Sequence, residues 1–237
     1  MRLVLLLITA ATLSGQTFEV TSVRVNTSGS GSSQTPWLAK GRLTATNTTM
    51  RQMLQSAWGF SSPQISGPAW MDTERYDLEA KSPEGVADTE IKPMLQALLK
   101  ERFGLAAHIE TKEMPVFNLV VMKDGPKIKP TDPEHPFTQP PRMPGACCMT
   151  VAYRGQLDDL ARGLSGTVGR PVLNKTGLEG PHAWALQYAQ IDGAAEPNGA
   201  PDIFGAVQQQ LGLKLESAKA DVPTLVVDHA ERVPSGN

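Results

Sequence analysis

An α+β fold follows from three features of this 237-residue sequence. Segments with apolar residues at helical spacing occur singly, each flanked by segments that alternate apolar and polar residues as strands do. The strand segments come in pairs close enough for hairpins, which favours helices packed on one face of mostly antiparallel sheet. The composition, 40% hydrophobic and 19% charged, is enough for one or two cores and excludes a disordered or collagen-like chain. Lys and Arg number 22 against 24 Asp and Glu, so no broad basic surface for nucleic acid is expected.

The elements read in order as follows. Residues 1–15 place Arg2 before the apolar run Leu3 to Ala11 and then small residues, the order of an export signal, with cleavage expected between Ser14 and Thr17. The run is too short to span a bilayer comfortably, so the mature chain is not expected to be membrane-spanning. Its loss leaves 21 cationic against 24 acidic groups. Leu43 and Ala45 then alternate as a strand, and Met50, Met53, Leu54, Ala57 and Trp58 form a helical face ended by Gly59. Ile65 opens a strand, and Tyr76, Leu78 and Ala80 alternate in another. Ile91, Met94, Leu95, Leu98 and Leu99 give a one-sided helix with Pro93 in its first turn and Gly104 as a left-handed cap.

The second half runs in the same order. Met149, Val151 and Tyr153 alternate, and Leu157, Leu160, Ala161 and Leu164 form a helical face. Val172 and then Trp184, Leu186 and Tyr188 supply two strands, and Ile203, Phe204, Val207 and Leu211 form a helix that Pro201 precedes and Gly212 caps. Phe103-Gly104-Leu105 through Glu110 to Leu119 resembles Leu211-Gly212-Leu213 through Glu216 to Leu225, with nine residues from Glu to Leu in both. Each half therefore reads β-α-β-β-α-β-β, and two tandem similar lobes are expected at residues 16–125 and 147–237. Between them, residues 126–146 hold Pro126, Pro130, Pro133, Pro136, Pro140, Pro141 and Pro144 and suit a surface linker. Asn26 to Gln34 and Asp192 to Gly199 lack periodicity and read as loops.

No spacing compels a reaction. There is no phosphate-binding Gly-x4-Gly-Lys and no dinucleotide Gly-x-Gly-x2-Gly, and Gly163-Leu164-Ser165-Gly166 falls short of a nucleophile elbow, so Ser165 reads as a helix-end residue. His108, His135, His182 and His229 lie far apart and Cys147 and Cys148 are adjacent, so neither a metal site nor a disulfide framework is expected, and no cofactor is implied. Strand alternation puts Asp77 and Glu79 on a solvated face, and Asp158 and Asp159 read as a solvated helix face. Two turn segments stand out as binding candidates. Gly67 to Arg75 offers Trp70, Asp72 and Arg75, and Gly169 to Leu178 offers Arg170, Lys175 and Thr176.

Gly41-Arg42-Leu43-Thr44-Ala45, Ile65-Ser66-Gly67-Pro68-Ala69-Trp70, Arg75-Tyr76-Asp77, Glu110 to Val116, Gly169-Arg170-Pro171-Val172, Lys175-Thr176-Gly177-Leu178 and Gln210 to Leu215 together resemble an acidobacterial paralogous family of exported proteins of unknown function. Domains similar to it also follow membrane metallopeptidases like those of β-lactam sensors, which implies extracytoplasmic sensing or binding. The chain has no His-Glu-x2-His, so peptidase activity does not carry over. Asn174 stands where the family pattern has Asp, and His182-Ala183-Trp184 where it has a Tyr-Asp-Phe-like run. The element order is also similar to the small partner-binding domains of secretins. The expected function is an exported, noncatalytic binding or assembly module, periplasmic or extracellular, for a protein or peptide of the cell envelope. The alternative is an extracytoplasmic hydrolase with its site between the lobes.

Overall fold

A computed structural model describes residues 17–29, 33–39, 41–132, 134, 137, 138, 140–144, 146, 148–189 and 199–236. The expected export signal at 1–15, Cys147 and most of the loop expected at Asp192 to Gly199 lie outside the described residues. The fold is α+β. In chain order the elements are β1 (Val20–Val25), β2 (Gln34–Ala39), β3 (Arg42–Thr49), α1 (Met50–Trp58), β4 (Ile65–Ser66), β5 (Arg75–Lys81), α2 (Asp88–Phe103), β6 (Ala106–Val121), β7 (Lys129–Pro130), β8 (Cys148–Gly155), α3 (Leu157–Val168), β9 (Val172–Asn174), β10 (His182–Tyr188), α4 (Ile203–Leu211) and β11 (Leu213–His229). Single 3-10 turns occupy Ser62–Gln64 and Ala69–Asp72.

Three expectations need correction. The two strands expected after the second helix of each half are one long strand, β6 with 16 residues and β11 with 17. Pro115 and Pro223 lie inside these strands and do not break them, because a proline is tolerated where its missing N–H faces away from a partner. The proline-rich stretch is more than a linker: Lys129 and Pro130 pair with Ala183 and His182, and Ile128 is buried. Finally, α2 begins at Asp88, so Pro93 falls in its second turn.

The chain forms two compact units that interleave along the sequence. One takes the chain up to Trp58, Ala69–Ala106 and the stretch from Asp228 onward; the other takes Gly59–Pro68 and Ala107–Val227.

The first unit is built on the antiparallel sheet β1-β5-β3-β2. Val23, Leu43, Ala45, Leu78 and Ala80 are buried, as are Met50, Met53, Leu54 and Ala57 of α1 and Met94, Leu95, Leu98 and Leu99 of α2. Asp77 is not simply solvated. Its Oδ1 accepts from Asn26 Nδ2 at 2.7 Å and from the Asn47 N–H at 2.9 Å. Asn47 sits at φ 52 where the β3–β5 register slips between Ala45 and Thr48, so the carboxylate holds a left-handed residue in a bulge. Tyr76 is fully buried, edge-on to Phe103 at 5.1 Å, and donates to the Arg232 carbonyl at 2.8 Å. Burial, and then the charge of Glu74, push its hydroxyl up to about 12. The C-terminal tail is strapped on by the Glu231 and Ser235 N–H groups, which donate to the Phe103 and Arg102 carbonyls at 2.7 Å each.

The second unit holds the sheets β4-β11-β6-β9 and β7-β10-β8. β6 and β11 run antiparallel: Met122 N–H donates to Gly212 O just beyond one end, and Glu113 meets Lys219 further along. Among the described residues their outer edges carry short parallel partners. Ile65 and Ser66 of β4 sit beside Leu225 and Val226, and Val172 to Asn174 of β9 sit beside Phe117 to Leu119. The core gathers Leu157, Leu160 and Leu164 of α3, Trp184 and Leu186 of β10, Ile203, Val207 and Leu211 of α4, and Phe117 and Leu119 of β6. Burying a side chain of this kind contributes roughly 1.5–3 kcal/mol.

Gly212, at φ 65, joins α4 to β11, and a Cβ there would lie 2.6 Å from Gly125 O and 2.7 Å from Lys127 N. Gly169 has a similar φ of 66 with nothing within 4 Å of its Cβ position. Gly212→Ala is therefore expected to cost about 2–4 kcal/mol, backbone strain plus collision. Gly169→Ala should cost only about 1–2 kcal/mol, the strain alone. Urea titrations of both variants check the difference.

Candidate functional site

The first turn segment brings its candidates into one neighbourhood and commits each to the structure. Trp70 is buried in the turn Ala69–Asp72, with the Arg232 guanidinium 6.0 Å from its ring centre. Arg51 of α1 grips Asp72 with two nitrogens, Nε to Oδ1 and Nη2 to Oδ2, the latter at 3.0 Å. This forked geometry fixes the turn against the helix. Arg75 donates to the Asn47 carbonyl at 3.3 Å.

The second turn segment lies in the other unit. Arg170 stacks 5.4 Å from the Phe117 ring centre. Lys175 N–H donates to Leu119 O at 2.9 Å, extending the β6–β9 ladder. Thr176 is held by Asn174, whose Oδ1 accepts from Thr176 N at 3.2 Å and Thr176 Oγ1 at 2.8 Å. Asn174 Nδ2 donates to Asp158 Oδ1 at 3.2 Å. An Asp at 174 would place two carboxylates in that contact and lose the donor, so the amide suits this turn. Asp158 is thus a bonded partner of the turn and not only a solvated residue.

Lys175, Asn174 and Asp158 border a cleft of about 370 Å³ that also takes in Phe60, Gln64 and Arg162. Sequence reading missed these last three. Gln64 carried a legible signal, because Ser61-Ser62-Pro63-Gln64 is a capping box: Gln64 Oε1 accepts from Ser61 N at 3.2 Å, while its Nε2 donates to Pro223 O at 3.0 Å. Arg162 pairs with Asp159 at 3.1 Å. A second cleft, about 320 Å³, lies between β8, β10 and α3 and is bordered by Ala152, Gly155, Gly163, Thr167, Trp184 and Tyr188. Trp184 Nε1 is buried with no acceptor among the described residues.

Ser165 sits in the last turn of α3, the helix-end position expected. It is buried, donates to Ala161 O at 2.8 Å and accepts from Val172 N–H at 2.8 Å. Its hydroxyl ties α3 to β9, and both its donor and its main acceptor direction are spent on backbone, which does not make a nucleophile paired with a base. The arrangement can present cations, amides and apolar surface to a partner.

A family model described as a protein of unknown function, DUF3738, matches residues 51–230. The chain belongs to this family. The DUF3738 match runs from α1 to just past the end of β11 and takes in all six candidate residues and both clefts. No curated protein and no solved structure matches the chain. No helix among the described residues is long and apolar enough to cross a membrane.

Ser165→Ala strands the buried Val172 N–H and is expected to cost about 1–3 kcal/mol. A urea titration beside Thr167→Ala, whose hydroxyl reaches Gly163 O only at 3.5 Å and should cost little, checks the assignment.

Proposed function

We propose that this chain is an exported, noncatalytic binding or assembly module for a protein or peptide partner of the cell envelope. The carrying observation is how its polar candidates are used. Asp72, Arg75 and Thr176 are each hydrogen-bonded into turns, strands or helix contacts, as are their neighbours Asn174 and Ser165, so they shape surfaces between the elements. Open clefts and terminal strands remain as the features a partner can read.

Two further readings belong with this one. Export rests on the order of residues 1–15, and the mature chain is read as starting between Gly15 and Thr17. A tandem origin is supported by the element order, since β3-α1-β4-β5-α2-β6 recurs as β8-α3-β9-β10-α4-β11. Acidobacterial kinship and a sensing role beside membrane peptidases are proposed on the resemblance alone.

The test is affinity capture from envelope extract with the mature chain, followed by remixing of the purified pair. A partner that re-forms a complex of fixed stoichiometry, with no turnover in esterase, glycosidase and peptidase screens, is the expected result. Turnover of a substrate class, or no complex beyond that of a charge-scrambled surface variant, overturns the proposal.

A further inference from the structure

We infer that the partner is an extended peptide segment that adds to β8 and places its side chains in the cleft between β8, β10 and α3; this rests on the binding reading above. β8 ends its sheet, in the order β7-β10-β8, so among the described residues no strand pairs with its outer side. A terminal strand offers a row of backbone donors and acceptors, and proteins blunt such rows with proline, extreme shortness or charge. Most of the other terminal strands are blunted. β2 contains Pro36, β7 is the pair Lys129–Pro130, β4 has two residues before Gly67-Pro68, and β9 has three after Pro171. β8, with eight residues reading Cys148-Met149-Thr150-Val151-Ala152-Tyr153-Arg154-Gly155, has no proline and one charge. β1 also lacks proline, but the depression beside it holds about 130 Å³ and is bordered by Arg42, Glu79 and Lys81.

The ground beside β8 differs. The cleft of about 320 Å³ brings Ala152 and Gly155 of β8 near Gly163 and Thr167 of α3, with Trp184 and Tyr188 of β10. Gly155 has no room for a side chain, because a Cβ would lie 2.7 Å from Trp184 Cζ3 and 2.8 Å from Ala152 Cβ. Gly163 is the reverse case, with nothing within 4 Å of its Cβ position. A glycine in a helix interior lowers helix stability, so one with free space on this flank keeps the cleft open at a cost to the helix. Arg154, at the end of β8, is exposed and has no ion pair among the described residues. The occupant that fits is a strand with apolar side chains at alternate positions and an acidic residue opposite Arg154, bound by ladder hydrogen bonds with the cleft supplying choice.

The probe is a displayed library of random peptides about ten residues long, a strand's length, selected against the full mature chain, with the best binder then synthesised. Selected peptides should share the alternating apolar pattern and an acid. Gly163→Leu should weaken binding about tenfold or more while keeping or raising the melting temperature. Arg154→Glu should exchange the preferred acid for a base. Methylating alternate backbone nitrogens of the peptide should abolish binding for one set and spare the other, as a strand ladder requires. Failure to select any binder, or a binder indifferent to Gly163→Leu and to methylation, overturns the assignment. If the Gly163→Leu chain still captures the envelope partner unchanged, the site is wrong and the binding reading stands. If the wild-type chain captures nothing in either experiment, the binding reading itself fails.

Discussion

The pairing of β6 with β11 is the contact on which the rest of the second unit depends. The strands are 16 and 17 residues long and lie far apart in the chain, so the pairing closes only when nearly all of the sequence has been made. Closing a long loop costs conformational entropy before any contact repays it. The pair then serves as the template for β4 and β9, which have two and three residues and no sheet of their own. β4 precedes β6 in sequence yet lies beside β11, and β9 precedes β11 yet lies beside β6. Each half of the sequence thus supplies a short strand to the other half's long one.

That exchange explains what could and could not be seen in the sequence. α1, α3 and α4 were legible because Met50-Met53-Leu54-Ala57, Leu157-Leu160-Leu164 and Ile203-Val207-Leu211 repeat at helical spacing and bury that face. The caps at Gly104 and Gly212 were legible for the same reason that their φ angles are positive. β4 and β9 are too short to show a period, and nothing local says that their neighbours come from the other half. The length of β6 and β11 was hidden by Pro115 and Pro223 and by exposed middles rich in charge, which read as breaks.

The candidate site was legible in its segments more than in its roles. Trp70, Asp72, Arg75, Arg170, Lys175 and Thr176 were singled out for residue type, and the structure shows partners for them that single-sequence reasoning had no means to assign. Arg51 for Asp72 and Phe117 for Arg170 lie 21 and 53 positions away in the chain. Asp77 misled because alternation gives the face of a strand but not the bulge beside it, where a carboxylate becomes a backbone acceptor. The cleft beside β8 escaped notice because its defining feature is an absent side chain at Gly163.

The interlock of the two halves can be tested directly by making residues 126–237 alone and following unfolding with amide exchange. That fragment holds β11 but neither β4 nor β6. It should show no cooperative transition and no protection at Leu225 and Val226 until a fragment of residues 17–125 is added, whereupon both return. A cooperative transition with those amides protected in the isolated fragment would contradict the account.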